Sequence, residues 1–172
     1  MRAVNHYNEK RWFALCTKPR CELKARNQLD SIDAYNYLPL ITRFSKWSDR
    51  IKKIEEPLIR GYIFVFADER ERLLSLEQPS IVKCVCHGGR AACIPCWQIE
   101  NLQKINNIGT DLRIQNGLVS GEKAEIISGP LKGVIGTIEN IGCKNRLAVS
   151  IDILNRSVIV RLTDESLLKA IQ

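Results

Sequence analysis

Apolar side chains recur along this chain with two periods, and the points where the period changes divide it into elements. Arg11-Trp12-Phe13-Ala14-Leu15-Cys16-Thr17 is rich enough in aromatic and aliphatic residues for a buried strand, and Lys18-Pro19 closes it. From Arg20 the period is that of a helix. Cys21, Ala25, Leu29 and Ile32 fall on one apolar stripe, and Arg20, Lys24, Asn27 and Ser31 on a polar, partly basic one. Tyr35 to Ile41 reads as a second strand, and the charge-dense stretch from Arg43 to Glu56 as an exposed hairpin or loop. After Pro57 come a strand at Tyr62 to Phe66, a short amphipathic helix at Glu69 to Leu76 and a strand at Ser80 to Cys86. A helix from Pro95 to Asn106 follows, opened by proline in its first turn. The order β, α, β, β, α, β, α predicts an α/β (α+β) sandwich with a mixed or antiparallel sheet and flanking helices.

Beyond Asn107 the texture changes. Residues 107–119 hold Asn107, Gly109, Asn116 and Gly117 with little periodicity and read as a linker. Short strands then crowd together at Ala124–Ile127, Val134–Ile138, Leu147–Leu154 and Val158–Leu162, divided by Gly129-Pro130, Gly142-Cys143-Lys144-Asn145 and Asn155-Arg156. Leu147, Val149, Ile151 and Ile153 alternate with Ala148, Ser150 and Asp152, a period of two. So many closely spaced strands predict a small all-β barrel, whose closure removes exposed sheet edges. The expected organisation is a flexible tail over residues 1–10, a domain over 11–106, the linker, and a second domain over 120–172.

At 172 residues, 45% hydrophobic and 26% charged, the chain is excluded from the collagen, coiled-coil and wholly disordered classes. Its longest apolar run, Tyr62 to Ala67, falls far short of the roughly 20 residues that span a bilayer, and its first residues lack the apolar core of a signal peptide. A cytoplasmic protein is expected. Net charge is +7, and residues 1–112 carry 18 basic against 13 acidic side chains, so polyanions, nucleic acid among them, are natural partners. Seven cysteines without a secretory signal are expected to stay reduced.

Cys84-Val85-Cys86 and Cys93-Ile94-Pro95-Cys96 resemble a zinc ligand set in the spacing of the second pair. The first pair is one residue too tight, and only six residues part the two. The four are read as free thiols, with no metal and no cofactor. Cys86 beside His87 is the one conceivable nucleophile and base, making a cysteine-dependent hydrolase an alternative, but no third group orients the pair and no enzyme is expected. Gly129-Pro130-Leu131-Lys132-Gly133 lies between strands and lacks the Gly-Lys-Ser/Thr ending of a phosphate loop.

The segment Gly121 to Ile138, with Gly129-Pro130-Leu131-Lys132-Gly133 inside it, resembles a KOW motif, in which a strand, a Gly-Pro-x-x-Gly loop and a second strand open an SH3-like barrel. Arg11-Trp12-Phe13-Ala14-Leu15 before a helix, Glu56-Pro57-Leu58-Ile59-Arg60-Gly61-Tyr62-Ile63-Phe64-Val65, and Gly88-Gly89 leading to Ile94-Pro95 resemble the NGN domain of NusG-type transcription elongation factors. The Glu-Pro-Leu run and Cys-Thr-Lys are similar to the operon-restricted paralogues of the RfaH and UpxY type, the latter serving capsular polysaccharide operons.

The resemblance implies a non-enzymatic, monomeric antitermination factor. Its NGN domain (11–106) would bind the clamp helices of the RNA polymerase largest subunit and suppress pausing. By position, Tyr62 and Phe64 form the apolar patch, with Cys84 and Ile94 as neighbours; the alternative for Tyr62 and Phe64 is that they are core. Lys18, with Arg20 and Lys24, would meet the displaced non-template DNA strand, or else form a solvated basic face. The KOW domain (120–172) would recruit termination factor Rho, a ribosomal protein or the ribosome, with Leu131, Lys132, Ile151 and Ile153 as contact points. Leu73 to Ser75, at the position of the polymerase gate-loop contact, lacks the expected His-Thr-Thr. The β-branched residues Val149, Ile151, Val158, Ile159 and Val160 predict a barrel that remains a barrel. A ribosome- or RNA-binding KOW protein is the other reading.

Overall fold

The computed structural model describes residues 9–46, 51–108, 112–141, 144–162 and 168–170. Most of the expected tail, Gly109 of the expected linker and Gly142-Cys143 of an expected turn lie outside the described residues. Two compact units emerge. One comprises the described residues up to Leu40 with Pro57–Cys96, and the other Ile41–Glu56 with the described residues from Trp97 onward.

Along the chain, β1 (Arg11–Thr17) leads to α1 (Glu22–Asp30) and the two-residue β2 (Asn36–Tyr37). A two-stranded hairpin, β3 (Leu40–Lys46) with β4 (Ile51–Pro57), occupies the charge-dense stretch, as its composition predicts. Then come β5 (Tyr62–Ala67), α2 (Glu69–Leu76), β6 (Ile81–Cys84), the short β7 (Cys86–His87) and β8 (Arg90–Ala91), β9 (Cys93–Ile94) and α3 (Cys96–Ile108). The sheet of the first unit runs β2-β5-β1-β6, with β9 also on β1, and every pairing is antiparallel. Between β6 and β9 the chain leaves the sheet as a hairpin turned at Gly88 and Gly89, both at positive φ (57° and 76°), which the two-residue turn of such a hairpin requires.

Alternation along β1 and β5 gives this sheet two faces. Phe13, Leu15, Ile63, Val65 and Ala67 point to one, where Ala25 and Leu29 of α1 complete a buried core and Leu76 of α2 packs against it. Each fully buried aliphatic side chain there contributes about 1.5–3 kcal/mol. The α1 stripe is shorter than its periodicity predicts. The helix begins at Glu22, Ala25 and Leu29 are buried, and Ile32 is exposed because the helix has ended at Asp30. Helix α2 occupies the residues expected of it, held by reciprocal bonds in which Glu71 N–H donates to Asp68 Oδ1 (2.8 Å) and Asp68 N–H to Glu71 Oε2 (3.0 Å).

The second unit holds a six-stranded antiparallel sheet in the order β10-β14-β13-β12-β11-β15, built from β10 (Arg113–Asn116), β11 (Glu122–Ile126), β12 (Ile135–Ile141), β13 (Lys144–Ile151), β14 (Arg156–Arg161) and β15 (Leu168–Ala170). Ala124, Ile126, Leu147, Val149, Ile151, Val158 and Val160 alternate into its core. Two expectations change. Strand β10 lies inside the stretch read as linker. Its four residues are all exposed, so no apolar alternation announces it, and pairing with β14 from Arg113↔Ile159 to Asn116↔Arg156 supplies its order. The strand expected to reach Leu154 ends at Ile151, where a 3-10 turn (Asp152–Leu154) leads to Asn155 in the left-handed region.

Helix α3, read as part of the first domain, belongs from Trp97 onward to the second unit and hydrogen-bonds with its strands. Gln98 Nε2 donates to Asp152 Oδ2 (2.8 Å), and Asn101 both donates to Ile135 O (2.9 Å) and accepts from Ile135 N–H (3.4 Å). Among the described residues no helix is long and apolar enough to cross a membrane.

Candidate functional site

The second face of the first unit's sheet is aromatic. Direct cross-strand partners share a face, so Trp12 with Phe66, Ala14 with Phe64 and Cys16 with Tyr62 point away from α1 and α2. Tyr37 joins them from β2, paired with Phe64, and Ile94 from β9, paired with Trp12. The Tyr37 ring stacks on Phe64 with centroids 6.3 Å apart, while Trp12, Phe66 and Tyr35 form a second group at 5.4–6.4 Å. Tyr35 stands 61% exposed at the margin of this face.

The four residues expected to contact polymerase divide. Tyr62 and Phe64 share the aromatic face as alternation requires, but Phe64 is wholly buried while Tyr62 is half-buried. The cause is position. Phe64 lies mid-strand, with Tyr37 stacked on it and Ala14 opposite, whereas Tyr62 begins β5. Ile94 belongs to the same face and is buried. Cys84 pairs with Leu15 and therefore lies on the helix-covered face, inside the core. Burial pushes its thiol up to about 11, against the opposing pull of Arg72. The buried Arg72 guanidinium pairs with Glu69 and lies 5.7 Å from the Phe13 ring centroid.

Tyr37 was not singled out by the sequence. Its hydroxyl is buried and finds no hydrogen-bond partner among the described residues, and desolvation raises its pKa well above the ordinary phenol value. A buried polar group without a partner is costly. Trp12, Tyr35 and Phe66 were also missed; alternation within β5 places Phe66 on the face of Tyr62, whereas Trp12 joins that face through its cross-strand pairing with Phe66.

Lys18, Arg20 and Lys24 are all exposed and lie between the end of β1 and the first turn of α1. Arg20 is not on a helical stripe. It occupies a left-handed turn residue (φ 59°) that precedes the helix, with Cys21 N–H donating to Lys18 O at 3.1 Å. Lys18 N–H donates to Ser80 O at 2.9 Å, which anchors the turn to the end of the sheet.

In the second unit Leu131 and Ile151 are core, Lys132 is exposed and Ile153 half-buried, so only the latter two present side chains to a partner. Leu131 turns inward because the Gly129–Gly133 loop folds back, Gly133 N–H donating to Ile126 O at 2.6 Å. Of the four clustered thiols, Cys84 is buried while Cys86, Cys93 and Cys96 are exposed. Among the described residues no three His, Cys, Asp or Glu side chains converge as a metal site.

The family profile described as "Transcription termination factor nusG" matches residues 10–103, more than half of the chain. Among solved structures the chain is similar to NusG of Thermotoga maritima, from a study of its domain interaction, at 17% identity over 89% of this chain and 93% of that one, with a TM-score of 0.48. It is also similar to two conformations of an MjSpt4:Spt5 complex. Conformation B has 17% identity over 93% and 96% of the chains and a TM-score of 0.35, and conformation A 16% over 93% and 97% with 0.30. No curated protein matches the chain.

Proposed function

Because this chain belongs to the NusG family of transcription factors, we propose that it acts by binding rather than by chemistry, and that its first unit docks on RNA polymerase through the aromatic face of the sheet. The carrying observation is that face itself: α1 and α2 complete the core on one side, and the other concentrates Trp12, Tyr37, Tyr62, Phe64 and Phe66. Aromatic residues are the usual anchors of protein interfaces, and the Tyr37 hydroxyl offers a hydrogen bond that no described residue takes up. Phe64 is buried here, so the half-buried Tyr62 and the exposed Tyr35 are the aromatic side chains that a partner meets first. The contact on polymerase is the clamp-helix coiled coil of its largest subunit, and bridging the cleft there suppresses pausing and termination.

Lys18, Arg20 and Lys24 are each exposed around the passage from β1 into α1, where they neutralise phosphates of the displaced non-template DNA strand and direct loading to particular operons, those for surface polysaccharides among them. Lys132 and Ile153 of the second unit contact Rho, a ribosomal protein or the ribosome. Such a factor works in the cytoplasm.

The test is capture of purified polymerase by the full chain carrying Tyr62→Ala, Phe64→Leu or both. Leucine at 64 keeps an apolar side chain in the core. Binding by the folded double variant at the wild-type level removes the assignment of this face. Transcription of a long template with and without the protein then scores pauses and terminators, and an unchanged pattern rejects the elongation role.

A further inference from the structure

The aromatic face of the first unit's sheet is not equally open along its strands. Cross-strand pairing arranges it in three rows: Lys83, Cys16 and Tyr62; then Ala14, Phe64 and Tyr37; then Ile94, Trp12 and Phe66. Ala14 and Phe64 are buried in the middle row, and Trp12 and Ile94 in the last. The first row is open along its whole length, with Lys83 exposed and both Cys16 and Tyr62 half-buried.

Among the described residues these rows hold one charged side chain, Lys83, and it has no carboxylate partner there. Its neighbour is the Cys16 thiol. Burial pushes that thiol above its ordinary value, and the Lys83 ammonium beside it opposes the rise. Sealing the row removes water from the ammonium, a cost that an opposite charge on the covering surface offsets. A nucleic-acid backbone is held by several cations in series, whereas this row supplies one. Its complement is a single carboxylate.

Resting on the docking of this face on RNA polymerase, we propose that Lys83 selects the partner, pairing with an acidic side chain on the polymerase surface that closes over Tyr62. Two strand spacings separate the backbones of Lys83 and Tyr62, so the acid stands about 10 Å from the group that meets the Tyr62 ring. The aliphatic stem of Lys83 and the Cys16 thiol fill the interval between charge and ring. A ring and a charge at fixed separation set the partner's orientation as well as its identity, because a surface lacking the acid leaves the ammonium covered and unpaired.

The experiment measures the affinity of the full chain for purified core polymerase free of nucleic acid, over a salt series. Lys83→Glu is expected to weaken binding by about tenfold or more, Lys83→Met by roughly threefold with a shallower salt dependence, and Lys83→Arg to retain most of it. Lys83 is exposed, so the melting temperatures of these variants stay level. Alkylation of Cys16 gives a second readout. Bound polymerase slows it, while alkylation of the exposed Cys93, which pairs with Phe13 on the other face, is unchanged. In the free chain Lys83→Met also slows it, because the Cys16 thiolate loses its neighbouring cation. Alkylation of Cys16 at one rate with and without polymerase rejects the docking face and this inference with it. A protected Cys16 together with wild-type affinity in Lys83→Glu overturns this inference alone. So does a loss that appears only once a DNA or RNA scaffold is added, which assigns the lysine to a phosphate.

Discussion

The Gly61 backbone N–H donates to the Glu22 carboxylate at 2.8 Å, and this bond joins the first turn of α1 to the residue that precedes β5. Glu22 is buried, and the Gly61 carbonyl accepts from Thr17 N–H at 2.9 Å, so both backbone groups of Gly61 are used. The start of β5, and with it Tyr62, is therefore positioned by a side chain 39 residues upstream.

Glu22→Ala leaves the Gly61 N–H without its acceptor, and chemical denaturation of the full chain should show a loss of about 1–3 kcal/mol. Glu22→Gln keeps an acceptor oxygen and should lose less. Equal losses in the two variants would mean that the side chain matters only for packing.

Gly61 has φ 82°, and a Cβ built there meets nothing within 4 Å. Any cost of Gly61→Ala therefore comes from the backbone conformation alone. It should be about 1–2 kcal/mol, read from the same denaturation curves.

Asn101 bonds to both backbone groups of Ile135. Asn101→Ala abandons both in a buried place, and the expected loss is about 1–3 kcal/mol. Gln98→Ala, which releases Asp152, should behave likewise but more mildly, because Asp152 is exposed and water replaces the lost partner. Melting of the second unit, followed by circular dichroism, measures both.

The Cys84 thiol, held up to about 11 by burial, stays protonated at pH 8, when exposed thiols begin to react as thiolates. Brief alkylation at pH 8 should label Cys86, Cys93 and Cys96 well before Cys84, as mass spectrometry of the digest would show. The same shift links stability to pH. An unfolded chain releases this proton near pH 9 and the folded one only near 11, so stability is full below pH 9 and declines between 9 and 11. Cys84→Ala should lessen that alkaline decline, and an unchanged decline would assign it to other groups.

Much of the architecture was legible in the pattern of side chains. β1, α2 and the heart of β5 depend on local periodicity, and Leu147, Val149 and Ile151 point inward in β13 as their alternation demands. What escaped was ordered by partners far away. Arg113–Asn116 is polar apart from Ile114 and becomes a strand only because β14 lies beside it. Glu22 looks like an ordinary exposed residue in the first turn of a helix until the chain returns at Gly61. The family resemblance makes Cys84 a neighbour of Tyr62, yet one cross-strand register, with Leu15, sends it to the opposite face.

Taken alone, the sequence determined the class of each half, the strand faces and the family resemblance, because hydrophobic period and turn residues act over a few neighbours. Only the tertiary structure decided which face α1 and α2 cover, that Phe64 is buried while Tyr62 is half-open, and that Arg146 stands against Arg161. Those outcomes depend on which distant strands pair and in what register, and a shift of one residue in a pairing exchanges the two faces of a sheet.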